Sequence, residues 1–165
     1  MRNPIQKRPT SQKGQSLVEM ALVSLIFFFL LFGILEFGRA LWTYNTIVQS
    51  TRAAARWAVA NAKVTSYNSG SGVYTIDSTD LTSIQNLVVY GYTTAGTPLV
   101  SGLTTSLVNV SIVAQDKDSA GAAINSKVSV SVSGYQFQFI VPIAPTLTIP
   151  AYETSLYTEA LGRII

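Results

Sequence analysis

Glu19 is the single charged residue in an apolar run at residues 17–35, LVEMALVSLIFFFLLFGIL. A carboxylate at membrane depth costs about 2.5 to 3.5 kcal/mol on insertion scales, and less near a helix end. An acid kept there therefore marks either a functional contact or a position within reach of headgroups. Glu36 and Arg39 follow at i, i+3 spacing, close enough to pair across one helical turn. Such a pair serves either as a helix-stabilising interface contact or as a docking contact for another subunit. Asp116-Lys117-Asp118-Ser119-Ala120-Gly121 begins like a calcium loop, D-x-D-x-x-G. Its fifth position is Ala120 and its twelfth is Lys127, so two oxygen ligands are missing and a plain hairpin loop is expected. Asp77 and Asp80 are paired carboxylates by spacing, but capping of a short helix accounts for them.

The chain lacks cysteine and histidine altogether. The thiol nucleophile, the commonest general base and the commonest metal ligand are thus missing. Neither a phosphate loop nor a catalytic constellation is visible, so no enzyme, no cofactor and no metal site is expected. Of eleven basic residues, Arg2, Lys7, Arg8 and Lys13 fall in residues 1–14 with no acid among them; the other seven face eight acids. The net charge of +3 therefore comes from a basic tail on a near-neutral body, which argues against a nucleic-acid-binding surface.

Charged residues are only 12% of the chain against 48% apolar, a balance that asks for lipid or for burial in an assembly. The run at 17–35 extends about 28 Å as a helix, close to the hydrocarbon thickness of a bilayer. The basic tail just before it orients the N-terminus to the cytoplasm, and Trp42 and Tyr44 follow where an interfacial aromatic belt would sit. A cleaved secretory signal is the competing reading, with small residues near Gly38 and Ala40; the apolar run exceeds a normal signal core.

The residues joining tail and span, Gly14-Gln15-Ser16-Leu17-Val18-Glu19, resemble a class III prepilin signal: basic leader, Gly, four residues, Glu, apolar helix. That resemblance implies a prepilin peptidase cut between Gly14 and Gln15 and places Glu19 fifth in the mature chain. It also implies that Glu19 sets assembly register by pairing with the new amine of a neighbouring subunit. Three blocks narrow it further: Val18, Glu19, Ala21 and Leu22; then Glu36, Gly38, Arg39 and Ala40; then a helix with Arg52 and Arg56. Together they are similar to the TadE-like family, minor pilins or pseudopilins of the tight-adherence (Tad, Flp) pilus machinery. The resemblance covers about residues 14–60.

No proline occurs between Pro9 and Pro98, and helical patterning continues to about Ala62. Asn45, Gln49, Arg52, Arg56 and Lys63 form a narrow polar stripe; Tyr44, Ile47, Val48, Ala55, Ala58, Val59 and Ala62 gather opposite. From Lys63 onward Ser, Thr, Gly and Tyr dominate. Asp77 is expected to cap a helix that runs to about Val89 and stops at Gly91. Strands are expected around Val108–Val110–Ile112, around Val128–Val130–Val132 and over residues 152–159. The apolar parity flips at Gly134 to Tyr135, Phe137 and Phe139, which calls for a bulge or bend there. With Tyr152 these aromatics form either a binding patch or, as expected here, a sheet face packed on the helix.

The expected fold is α+β and pilin-like: one long N-terminal transmembrane helix, its outer half packed on an antiparallel sheet of about three strands, plus a short helix. Residues 1–14 form the leader, 15–62 the helix and 63–165 an extracytoplasmic β-rich domain. The expected function is a minor pilin or pseudopilin that supports adhesion. Its partners are a prepilin peptidase, other pilin subunits, an inner-membrane assembly platform and the bilayer, with no nucleic acid. The alternatives are a major filament subunit, a secretion-system pseudopilin, or a membrane-anchored binding module that never assembles.

Overall fold

The computed structural model describes residues 12–117, 123–140 and 146–159. Most of the basic leader, the tip of the Asp116 loop, and Pro142 with Pro145 lie outside the described residues. The chain divides into two compact units, residues 1–39 and 40–165.

The described part of the first unit is a single helical segment. Helix α1 spans Gln12–Asn61, uninterrupted by proline, and its residues up to Arg39 belong to this unit. Leu17, Phe29, Ile34 and the other large apolar side chains of the run are all exposed. Phe27 meets Phe28 edge-on at 5.6 Å between ring centroids, and Phe28 stacks on Phe32 at 6.3 Å.

In the second unit, the outer half of α1 buries one face. Ile47, Ala54, Ala55 and Ala58 are buried, while Asn45, Gln49, Arg52, Arg56 and Lys63 are exposed, the division that the helical period predicts. Ala54, Ala55 and Ala58 have no exposed surface and are part of the core cluster. The hydroxyls of Ser50 and Thr51 also face inward. Both donate to the Ile47 carbonyl, at 3.0 and 2.7 Å, so neither is left unsatisfied in the core.

Five strands form the main sheet: β1 (Val64–Asn68), β2 (Val73–Ile76), β3 (Val108–Lys117), β4 (Ala123–Val132) and β7 (Tyr152–Glu159). Their order is β1-β2-β3-β4-β7 and every pairing is antiparallel. Val108, Ile112, Val128, Val130 and Val132 point into the core, and the alternate positions carry Ser111, Ser129 and Ser155 in one register row. The sheet is two strands wider than the sequence suggested. The β1–β2 hairpin is short and rich in Ser and Thr, so it lacks the apolar alternation that marks β3 and β4.

Helix α2 (Ser78–Tyr90) follows β2 and buries Ile84, Val88 and Val89. The Asp77 carboxylate accepts from the Thr79 amide at 2.9 Å, and Gly91 ends the helix at φ +78°. Asp80 accepts the Lys63 amide at 2.8 Å, tying α2 to the end of α1. Capping accounts for Asp77 alone; Asp80 is held instead by the backbone at the end of α1.

At Gly134, φ is +76° and the chain leaves the main sheet. The bend is real, but the aromatics beyond it do not continue β4. They enter a separate two-stranded ribbon, β5 (Gln136–Phe137) with β6 (Leu147–Thr148). Tyr135 and Phe137 are buried, and the Tyr135 hydroxyl donates to the Ser101 carbonyl at 2.8 Å.

Candidate functional site

Gly14 and Gln15 lie in the first turn of α1, and both are exposed. One turn later Glu19 is also exposed, and the Gln15 side-chain amide donates to its Oε1 at 3.1 Å. The i, i+4 spacing alone brings these groups together, because side chains four residues apart share a helix face. Glu19 thus has a neutral hydrogen-bond donor of its own chain. No basic side chain is recorded against it among the described residues.

At the other end of the apolar run, Arg39 donates through Nε and Nη2 to the same Glu36 oxygen, at 3.1 and 2.7 Å. The Glu36 side chain is only 12% exposed and Arg39 is 36% exposed. A carboxylate that far from water is costly unless a cation holds it, and the guanidinium does so with two charge-assisted bonds.

Between these two polar positions α1 offers nothing but apolar surface. It is the one helix among the described residues long and apolar enough to cross a membrane, and none of that stretch is buried within the chain. Residues 14–56 match the model of the TadE-like protein family. The TadE-like segment begins at Gly14 and ends at Arg56, so it takes in Glu19, the Glu36–Arg39 pair and most of the outer helix. It includes no part of the sheet. Neither a curated protein nor a solved structure matches the chain. The matched segment and the candidate membrane span lie on the same helix.

One of the two expected interfacial aromatics has a partner in the sheet. Trp42 is 60% exposed, as an interfacial residue would be. Tyr44 is half-buried and meets Tyr152 of β7 edge-on, with ring centroids 6.2 Å apart. Arg52 donates to the Tyr152 hydroxyl at 3.0 Å and its guanidinium lies 6.0 Å from the ring centre. The Thr154 hydroxyl, the Arg52 hydrogen bond and the Arg52 charge lower the Tyr152 pKa below its ordinary value. This cluster joins residues a hundred positions apart, and nothing local in the sequence signals it.

Proposed function

We propose that the chain is a minor pilin, or pseudopilin, that takes part in assembling a Tad-type pilus and supports adhesion. The observation that carries this is the position of Glu19, an acid on a bare apolar helix, five residues after a glycine at which the TadE-like match starts. In this reading the N-terminus is cytoplasmic, α1 crosses the inner membrane once, and residues 40–165 lie outside.

A prepilin peptidase cuts between Gly14 and Gln15 and frees the α-amine of Gln15. In the unassembled subunit the Gln15 amide satisfies one Glu19 oxygen. On entry into the assembly, the ammonium of a neighbouring subunit meets that carboxylate. A neutral hydrogen bond is replaced by an ion pair, which is stronger and is tolerated in lipid only when both charges are matched. That exchange sets the axial register, while the apolar faces of neighbouring α1 helices pack together on the inner-membrane platform.

The test is the N-terminal sequence and intact mass of the protein made together with its native peptidase. Cleaved wild-type chain starts at Gln15. Glu19→Ala is cleaved equally well but is absent from the assembly. Incorporation of Glu19→Ala at wild-type levels defeats the register role, and retention of residues 1–14 defeats the prepilin reading.

A further inference from the structure

At the start of α1 the Gln15 side-chain amide donates through Nε2 to Glu19 Oε1 at 3.1 Å, and both side chains are exposed. Removal of residues 1–14 leaves both partners in place, because the pair lies four residues apart within the chain that remains. The Gln15 carbonyl still faces the Glu19 amide, so the shortened helix begins with the same turn.

A free N-terminal glutamine has a reaction of its own. Its α-amine attacks its side-chain carbonyl carbon, Cδ. The Nα–Cδ bond forms and the Cδ–Nε2 bond breaks. The proton given up by the amine leaves with Nε2 as ammonia, and nothing is oxidised or reduced. The product is a five-membered lactam, one ammonia lighter, with no positive charge at its nitrogen.

Two features of the observed contact oppose this step. Ring closure folds the amide back on the nitrogen of Gln15 itself, at the start of the helix. Glu19 holds the same amide toward the next turn, about 5.4 Å further along the axis. The second feature is electronic. An N–H that donates to an anion passes electron density to its carbonyl, which makes Cδ a poorer target. The ionised carboxylate is an acceptor only and has no proton for the departing nitrogen.

We propose that Gln15 is a latent cyclisation site and that Glu19, by holding its amide, delays closure until the amine is used. The proposal rests on the cut between Gly14 and Gln15. It gives Glu19 a positioning role on its own chain besides the register contact with a neighbour. The two roles follow one another. Before assembly, Glu19 restrains the amide. In the assembly, the Glu19 of a neighbouring subunit binds the Gln15 ammonium, whose nitrogen lone pair is occupied by a proton and does not attack. A cyclised subunit has no ammonium to offer and leaves the neighbour's carboxylate unmatched in lipid.

To test this, residues 15–165 are released in detergent from chains that carry a site-specific protease site in place of the leader. The intact mass is then followed over days at one pH and temperature. Protein processed by its native peptidase is analysed beside them. The readout is loss of one ammonia, located at Gln15 by fragmenting the N-terminal peptide. Glu19→Ala is expected to cyclise about twofold faster than wild type, the factor that an exposed pair at this spacing supplies. Glu19→Gln keeps a carbonyl acceptor at the same reach and is expected to stay near the wild-type rate. A Glu19→Ala rate no higher than wild type overturns the proposal and leaves the cut standing. So does a Glu19→Gln rate equal to that of Glu19→Ala, which traces the delay to the charge near the amine rather than to the held amide. Retention of residues 1–14 in the natively processed protein defeats the cut itself, and the proposal falls with it.

Discussion

Glu153 and Lys127 lie on the outer face of the sheet, where β7 pairs with β4, with 3.7 Å between Lys127 Nζ and the carboxylate. The Ser129 hydroxyl, then the Ser155 hydroxyl and the Lys127 charge, hold the Glu153 carboxyl below its ordinary pKa. A carboxylate depressed in the folded state adds stability that is present above the unfolded value. That contribution is lost as pH falls through the folded value. The outer unit should therefore lose stability on acidification from about pH 5 to about pH 3. Glu153→Gln should flatten that part of the profile, as followed by urea midpoints at each pH; an unchanged slope rejects the role. Acids at element ends were legible in sequence, since Asp77 before an apolar period is a cap wherever the helix docks. The Glu153 cluster was not, because its partners come from another strand.

Among the elements, the outer half of α1 depends on small side chains. Ala54, Ala55 and Ala58 have no exposed surface and belong to the buried core, where there is no room for a larger side chain. Ala55→Leu should cost about 1 to 3 kcal/mol through overpacking. Ala53→Leu, on the exposed face of the same helix, should change stability by no more than about 0.5 kcal/mol. Equal denaturant midpoints for the two variants contradict this packing. Both helices were readable because period and caps are local signals. The β1–β2 hairpin and the aromatic ribbon were not. In the first, Ser and Thr hide the strand period; in the second, the positive φ at Gly134 directs the chain to a new partner.

At the scale of the whole molecule, the two units depend on different solvents. The apolar run at residues 20–35 keeps its backbone hydrogen bonds within one helix and exposes its large apolar side chains, a stable state in lipid without any tertiary contact. Residues 40–165 hold a core drawn from both helices, the sheet and the ribbon, and that core depends on water outside it. Heating the protein in vesicles should remove the strand signal in one cooperative transition while helical signal from the membrane segment persists. Circular dichroism read through the transition checks this, and simultaneous loss of both signals rules it out.

Periodicity and charge placement by themselves determined the helix, its apolar span and the α+β class, and short motifs over about residues 14–60 carried the resemblance to the TadE-like family, because each is a pattern within a short stretch of chain. Tertiary structure alone decided the width and order of the sheet and the pairing of Tyr44 and Arg52 with Tyr152. Those features join residues far apart in the chain, and their energy appears only once the core has brought the strands into register.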